Sequence, residues 1–247
     1  YMPEFGFNGI GWLHINRGYQ IKLTEAITDF QFCSILVPLV EGCMDETACN
    51  YNPEANMADT SCEFPLQGYD CDGNITAQIG DIIEGGYLFY LDESGERGLV
   101  AAMEDISDQE YEWGCYEVDV NGSDGISIGA GYQNTINIVN QGCGTLNQVV
   151  TAAQMALDYQ AEGYNDWFLP SIYELQTMYE AIGNSQYGFN NSLESTSSYM
   201  SSSQVNSNEY FMFDFNGGDI ENLLKYEPRV FRLVRAFGNW TMGCIDE

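Results

Sequence analysis

Short apolar runs separated by polar turns fill the second half of the chain and predict a mixed α+β domain. The runs at 86–91 and 98–102 flank the polar segment 92–96, which is the pattern of a β-hairpin. Further apolar runs at 210–215 and 230–237 predict two more strands. The segment 195–207, which precedes these two runs, is polar and rich in serine, so we expect an ordered loop there.

Two segments of this half carry helix signals. The segment 146–160 is rich in Ala and Gln, and Gly163 is placed to stop a helix. The second helix follows Pro170, with Ser171 as its N-cap and Glu174 three residues later to complete a capping box. Apolar residues then recur at helical spacing before Gly183, at Leu175, Met178, Tyr179 and Ile182. The pattern therefore predicts two helices with mostly antiparallel strands.

The first 76 residues have a different composition and pattern. Residues 1–41 read as the end of a β-rich domain, with alternation at 19–23 and an apolar run at 30–40 that is either a strand or an interdomain packing segment. Residues 42–76 are rich in Cys, Asp and Asn and have too few apolar residues for a core, so we interpret them as a cross-linked connector. Residues 77–237 then form the α+β domain, and 238–247 a linker to a following segment.

Four cysteines in the connector indicate disulfides. Zinc is the competing interpretation, but no C-x-x-C pair occurs, and the single histidine, His14, lies far upstream. Disulfides favour an oxidising, extracytoplasmic location, and three pairings of the four remain open. We further expect a disulfide between two cysteines of the α+β domain, while Cys33 and Cys244 either pair with each other or lie outside this scheme. The predicted disulfide cysteines are Cys43, Cys49, Cys62 and Cys71 in the connector and Cys115 and Cys143 downstream.

The charge of the chain is strongly negative. Seven Lys and Arg residues against 37 Asp and Glu give a net charge of −30. Such a field repels nucleic acid and anionic membrane surfaces and attracts divalent cations. The chain contains no apolar run of about 18 residues, so no membrane span is predicted. We interpret the chain as a processed protein or as the ordered part of a larger one, with other domains as neighbours.

Three clusters place oxygen ligands at alternating positions, as the start of an EF-hand loop does, and predict Ca²⁺ as a ligand. None of them continues to the bidentate Glu of that motif, and turns rich in Asp, Asn and Gly also form without a metal. The clusters are Asp70, Asp72 and Asn74; Asp119, Asn121 and Ser123; and Asp214, Asn216 and Asp219.

Several segments of the α+β domain stand in the order and spacing of a bacterial family. They are Gly86-Tyr-Leu-Phe-Tyr-Leu, Glu112-Trp-Gly-Cys, Asp166-Trp-Phe-Leu-Pro-Ser and Arg232-Leu-Val-Arg-Ala-Phe. Over residues 78–237 the chain resembles the C-terminal domain of the Legionella collagen-like adhesin. This resemblance implies a C-type-lectin-like fold. The Cys-rich stretch is similar to short repeats of large surface proteins in marine Bacteroidetes.

The calcium-dependent sugar site of C-type lectins is not expected in this chain. That site uses E-P-N or Q-P-D together with W-N-D, whereas this sequence has Glu227-Pro228-Arg229 and Asn165-Asp166-Trp167. An arginine in place of the amide ligand would repel the ion.

Four of the seven basic residues fall within the eleven positions 225–235, and they are the one place where an anionic ligand such as a sulfated glycan is expected. The glycosaminoglycan binding implied by the adhesin resemblance favours that interpretation. The stronger alternative is that they pair with the protein's own carboxylates, as arginines in a terminal core strand of an acidic domain more often do. The four are Lys225, Arg229, Arg232 and Arg235.

The sequence favours a non-catalytic adhesion or ligand-binding module of a secreted or cell-surface protein, with a glycan or a surface protein as its ligand. The alternative is a structural module that caps a fibre, as a homo-oligomer. Catalysis has little support, because no G-x-S-x-G or H-E-x-x-H motif occurs and His14 stands alone.

Overall fold

A computed structural model of the chain describes residues 38–147, 150–183, 185–189 and 197–240. The predicted β-rich segment 1–41 lies almost entirely outside these residues, and so do Cys33, Cys244 and most of the predicted linker 238–247. The predictions made for these parts of the chain stay predictions.

The described residues form three α-helices and eleven strands, which confirms the α+β class. The helices are α1 (Gly131–Gln141), α2 (Ala152–Asp158) and α3 (Ile172–Ile182). The connector contains only the two-residue strands β1 (Glu41–Gly42) and β2 (Met57–Ala58). The remaining strands are β3 (Ile82–Ile83), β4 (Gly86–Leu91), β5 (Gly98–Ala101), β6 (Ile106–Tyr111), β7 (Ser198–Gln204), β8 (Glu209–Asp214), β9 (Asp219–Leu224), β10 (Arg229–Phe231) and β11 (Val234–Phe237).

Two sheets form the frame of the globular domain. One has four antiparallel strands in the order β11-β5-β4-β3, and the predicted hairpin is its β4–β5 pair. The other has five strands in the order β6-β10-β7-β8-β9, with only β10 and β7 parallel. The predicted strand 230–237 is in fact two strands, because the chain leaves the five-stranded sheet after Phe231 and joins the four-stranded sheet at Val234.

Residues 198–204 of the serine-rich segment form a buried strand, so the predicted loop is wrong over that part of 195–207. Strand β7 lies between β10 and β8, and Ser201, Ser202 and Ser203 are fully buried. Their hydroxyls donate to the backbone carbonyls of Phe211, Pro170 and Gly125, respectively. Burial of a hydroxyl is tolerated when it is hydrogen-bonded, and each of these has a partner on another element.

The helix at 172–182 begins as predicted. The Ser171 hydroxyl accepts from the Glu174 backbone N–H, and the Glu174 carboxylate accepts from the Ser171 N–H, which completes the capping box. Helix α2 is shorter than predicted because Thr151 caps its start and the backbone becomes extended at Tyr159. Helix α1 was not predicted, since its sequence is polar and its buried face includes Asn134 and Thr135.

Two clusters of buried apolar side chains fill the globular domain. Trp113 and Trp167 are fully buried in one cluster, and Leu175 and Met178 of α3 pack in the other. The described residues contain no helix long and apolar enough to cross a membrane.

Candidate functional site

The connector is held by two disulfides, Cys43–Cys62 and Cys49–Cys71. They span 19 and 22 residues and overlap in sequence, so residues 49–62 lie within both closed loops. The third predicted disulfide, Cys115–Cys143, is also formed. All six predicted cysteines are therefore in disulfides, and covalent links replace the apolar core that the connector lacks.

The connector is fastened to the globular domain by a polar cluster around Glu84. The Tyr69 hydroxyl donates to Glu84 Oε1 at 2.8 Å, and the Tyr164 hydroxyl donates to Oε2 at 3.2 Å. Arg235 donates to the same Oε2 at 3.0 Å, pairs with Asp166, and stacks 3.7 Å above the Tyr164 ring. Burial would raise the pKa of Glu84, but these three donors lower it overall, so the carboxylate stays charged.

The backbone also fixes this junction. Gly68 has a φ of 84°, which favours glycine, and a Cβ there would collide with the Ile83 side chain of β3. The Gln67 side chain donates to the Ile82 carbonyl at 3.0 Å. The second half of the connector is thus packed against the edge of the four-stranded sheet.

The four basic residues predicted as an anion site do not form one surface, and the alternative, pairing with the protein's own carboxylates, describes Arg232 and Arg235. Lys225 and Arg232 are fully buried, and Arg229 donates to the carbonyl of its neighbour Pro228. Arg235 belongs to the Glu84 cluster. An acidic protein supplies internal carboxylates and carbonyls to its few cations, so these residues hold strands together instead of facing solvent.

Arg232 is an example of a basic side chain that binds several partners inside the protein. Its guanidinium pairs with Asp105 and donates to the carbonyls of Ala102, Tyr187 and Gly188. The Phe189 ring lies 4.2 Å from the guanidinium carbon. The residue lies between β10 and β11 and anchors the point where the chain changes sheets.

The first predicted calcium cluster is a hydrogen-bonded turn. Asp70 accepts from the backbone N–H groups of Asp72 and Asn74 and from the Asn74 side chain. These hydrogen bonds lower the pKa of Asp70, the Asn74 side chain contributing most. The carboxylate is already engaged with its own turn.

The other two clusters are also engaged internally. Asp119 accepts from the Gln204 side chain, and the buried Ser123 hydroxyl donates to the Val120 carbonyl. Asp214 accepts from the backbone N–H groups of two turn residues, Asn216 and Gly217. Among the described residues, no group of three or more His, Cys, Asp or Glu side chains is arranged to hold a metal ion.

An open depression lies at the turn of the β4–β5 hairpin, and we call it the hairpin depression. Its volume is about 590 Å³. Asp92 accepts from the Ser94 hydroxyl and from Arg97 Nε, both at 2.7 Å. These two donors, Ser94 first, lower the pKa of Asp92 to about 2. The lining residues are Tyr90, Asp92, Glu93, Ser94 and Arg97.

Trp240 lies beside this depression. The Arg97 guanidinium carbon lies 5.7 Å from the centre of the Trp240 ring, and the Tyr90 ring is 6.4 Å away. Sequence reasoning read residues 92–96 only as a turn. The signal that it missed is a hairpin turn that carries acidic, hydroxyl and basic side chains next to aromatic strand residues.

Comparison of the chain with models of known protein families found no match, and comparison with curated proteins found no relative.

Proposed function

We propose that this chain is a non-catalytic binding module of a secreted or cell-surface protein, and that the hairpin depression receives a glycan. The depression carries the proposal because it combines an aromatic ring with several oriented polar groups. Its size lies within the roughly 300–1,000 Å³ of typical ligand sites. A pyranose ring offers C–H faces for Tyr90 and hydroxyls for the Asp92, Ser94 and Arg97 side chains.

The charge of the depression defines the kind of glycan. Asp92 is fully ionised at neutral pH, and Glu93 adds a second, exposed carboxylate, against the single cation of Arg97. Together with a net charge of −30, this disfavours sulfated or uronic ligands. The proposed ligand is therefore a neutral glycan or the neutral part of a surface macromolecule.

The connector supports a presenting role outside the cytoplasm. Disulfides persist in oxidising compartments, and the described part of the connector carries two. The Glu84 cluster then fixes the orientation of the globular domain on its connector. The adhesin resemblance and a C-type-lectin-like arrangement agree with this role and remain part of the proposal, because the structure itself supports the α+β class.

A glycan array probed with and without Ca²⁺ tests the proposal. We expect binding to a neutral glycan by the full chain and its loss in Tyr90→Ala and Arg97→Ala. Tyr173→Ala is the matched control, because Tyr173 is an exposed tyrosine of α3. Binding that survives both depression variants, or no binding to any neutral glycan, would overturn the assignment. Glycan binding that requires Ca²⁺ would support the prediction that the chain binds Ca²⁺.

A second candidate function is assembly with a neighbouring copy or domain. The connector exposes apolar side chains that its own fold does not cover, with Phe64 56% and Leu66 76% exposed. Light scattering tests this candidate. An oligomer that dissociates in the Phe64→Ser, Leu66→Ser double variant would support a structural role, and a monomer at all concentrations would reject homo-oligomeric assembly.

A further inference from the structure

A buried lysine lies against a buried glutamine at one end of the five-stranded sheet. Lys225 directly follows β9, and Gln204 is the last residue of β7. Lys225 Nζ donates to Gln204 Oε1 at 3.0 Å and to the Val118 carbonyl at 2.8 Å. The Trp113 ring centre lies 4.3 Å from Nζ. Lys225 and Trp113 are fully buried and Gln204 is 6% exposed, so the pair is shielded from water.

The carboxamide of Gln204 is fixed in one orientation. Its Oε1 accepts a second hydrogen bond from the Val120 N–H at 3.0 Å. Its Nε2 donates to Asp119 Oδ1 and to the Val120 carbonyl, both at 2.8 Å. The carbonyl is thus polarised by two donors, and the amide nitrogen lies against a carboxylate. This arrangement supplies an oxyanion donor and a proton-transfer group for attack on the carbon between them.

We propose that Lys225 and Gln204 join in an intramolecular isopeptide bond between Nζ and Cδ, with Asp119 as the proton-transfer group. A C=O bond is about 1.23 Å, so Nζ lies within about 4.2 Å of Cδ. A small swing of the lysine side chain brings the two atoms to the roughly 3–3.5 Å of a reactive pair.

The reaction balances without an oxidant or a further reactant. Lys225 first loses a proton to solvent to become the neutral amine, whose lone pair attacks Cδ while the carbonyl electron pair moves to Oε1. The Val120 N–H donates to the oxygen that becomes negative. Asp119 takes a second proton from Nζ and delivers it to Nε2. The Cδ–Nε2 bond then breaks, ammonia leaves, and the carbonyl re-forms as a secondary amide.

The surroundings favour this step over hydrolysis. Burial lowers the pKa of Lys225 to about 8, and the charge of Asp119 opposes this only in part, so some of the amine is neutral at physiological pH. The exclusion of water leaves the amine as the nucleophile closest to Cδ. The resulting bond would tie β9 to β7 across β8 and close a loop of 21 residues.

Intact mass spectrometry of the reduced, denatured full chain tests the proposal after incubation of the folded protein above pH about 8, where Lys225 is mostly neutral. We expect a mass lower than that of the sequence by one ammonia, and a branched peptide that joins the residues around 204 and 225. Lys225→Met and Gln204→Glu should abolish both signals. Asp119→Asn retains both reactants and should slow the loss of ammonia at least tenfold.

Peptide mapping separates this bond from the other route to the same mass. Succinimide formation at the Asn8-Gly9, Asn121-Gly122 or Asn216-Gly217 pair also releases ammonia, but it yields no branched peptide. If a variant fails to fold, the presence or absence of the branched peptide in the wild-type protein decides whether the bond forms. Separate Lys225 and Gln204 peptides at unchanged mass in the incubated, folded wild-type protein would overturn the proposal.

Discussion

The connector and the globular domain of one chain are stabilised in different ways. The connector has two disulfides and many exposed apolar side chains, whereas the globular domain buries two apolar clusters and all three of its serine side chains at 201–203. The connector therefore depends on its disulfides, whereas the globular domain, which has the single Cys115–Cys143 link, depends mainly on packing. This difference explains how a segment with little core can support a rigid junction.

The largest effect should come from removing core volume in the globular domain. Leu175 of α3 is fully buried, so Leu175→Ala should cost about 2–5 kcal/mol of unfolding free energy, because the removed atoms leave a cavity. Leu66→Ala in the connector is the control and should change it by less than about 0.5 kcal/mol. Denaturant unfolding of both variants measures the contrast. Equal losses would refute the division into a packed and a cross-linked region.

Removing one connector disulfide should act on the connector alone. In the double variant Cys49→Ser, Cys71→Ser, a link spanning 22 residues is lost, which should cost the connector about 3 kcal/mol. Limited proteolysis should cut the variant between residues 50 and 61 and leave the globular domain intact. Cleavage within β4–β11 at the same rate would show that the two regions depend on the same link.

The stability of the globular domain should fall as the pH rises from about 4.5 to about 7. Burial raises the pKa of Glu174 to about 7, although backbone hydrogen bonds from Ser171, Gly129 and Gly131 oppose it. The folded state then holds a proton that the unfolded state has lost, so its stabilising effect is complete below pH 4.5 and disappears above pH 7.

Over that range the unfolding free energy should decrease by up to about 3 kcal/mol. Chemical unfolding at several pH values measures the slope. Glu174→Gln should flatten it, whereas Glu93→Gln at the exposed hairpin turn should leave it unchanged. A slope that persists in Glu174→Gln would assign the titration to another group.

The smallest effect should come from loosening the junction. Tyr69→Phe removes the hydroxyl that donates to Glu84 and should cost about 1 kcal/mol. Tyr51→Phe in the exposed part of the connector is the matched control. Hydrogen exchange at residues 66–76 should speed up only in Tyr69→Phe. No change there would mean that Gly68 and Gln67 alone hold the junction.

The sequence predicted local features well and distant ones poorly. The β4–β5 hairpin, the Ser171 capping box and the six disulfide cysteines are readable because each signal lies within a few residues or in cysteine itself. Strand β7 was missed because buried serines need partners on other elements, such as Pro170 and Gly125, which spacing does not show.

The candidate sites follow the same rule. The basic residues near the end were predicted as a ligand surface because their partners, such as Asp105 for Arg232, lie far away in sequence. The hairpin depression was missed because its Trp240 neighbour joins it only through the fold. The sequence shows where the basic residues lie along the chain, but only the fold shows that internal carboxylates and carbonyls bind them.

Hydrogen exchange of the intact chain with and without reductant tests the central claim most directly. The account predicts that reduction removes protection from connector residues 42–63, while the strands β4, β5, β7 and β8 keep theirs. Protection lost from both regions together, or from neither, would contradict the claim that one region is held by disulfides and the other by its packed core.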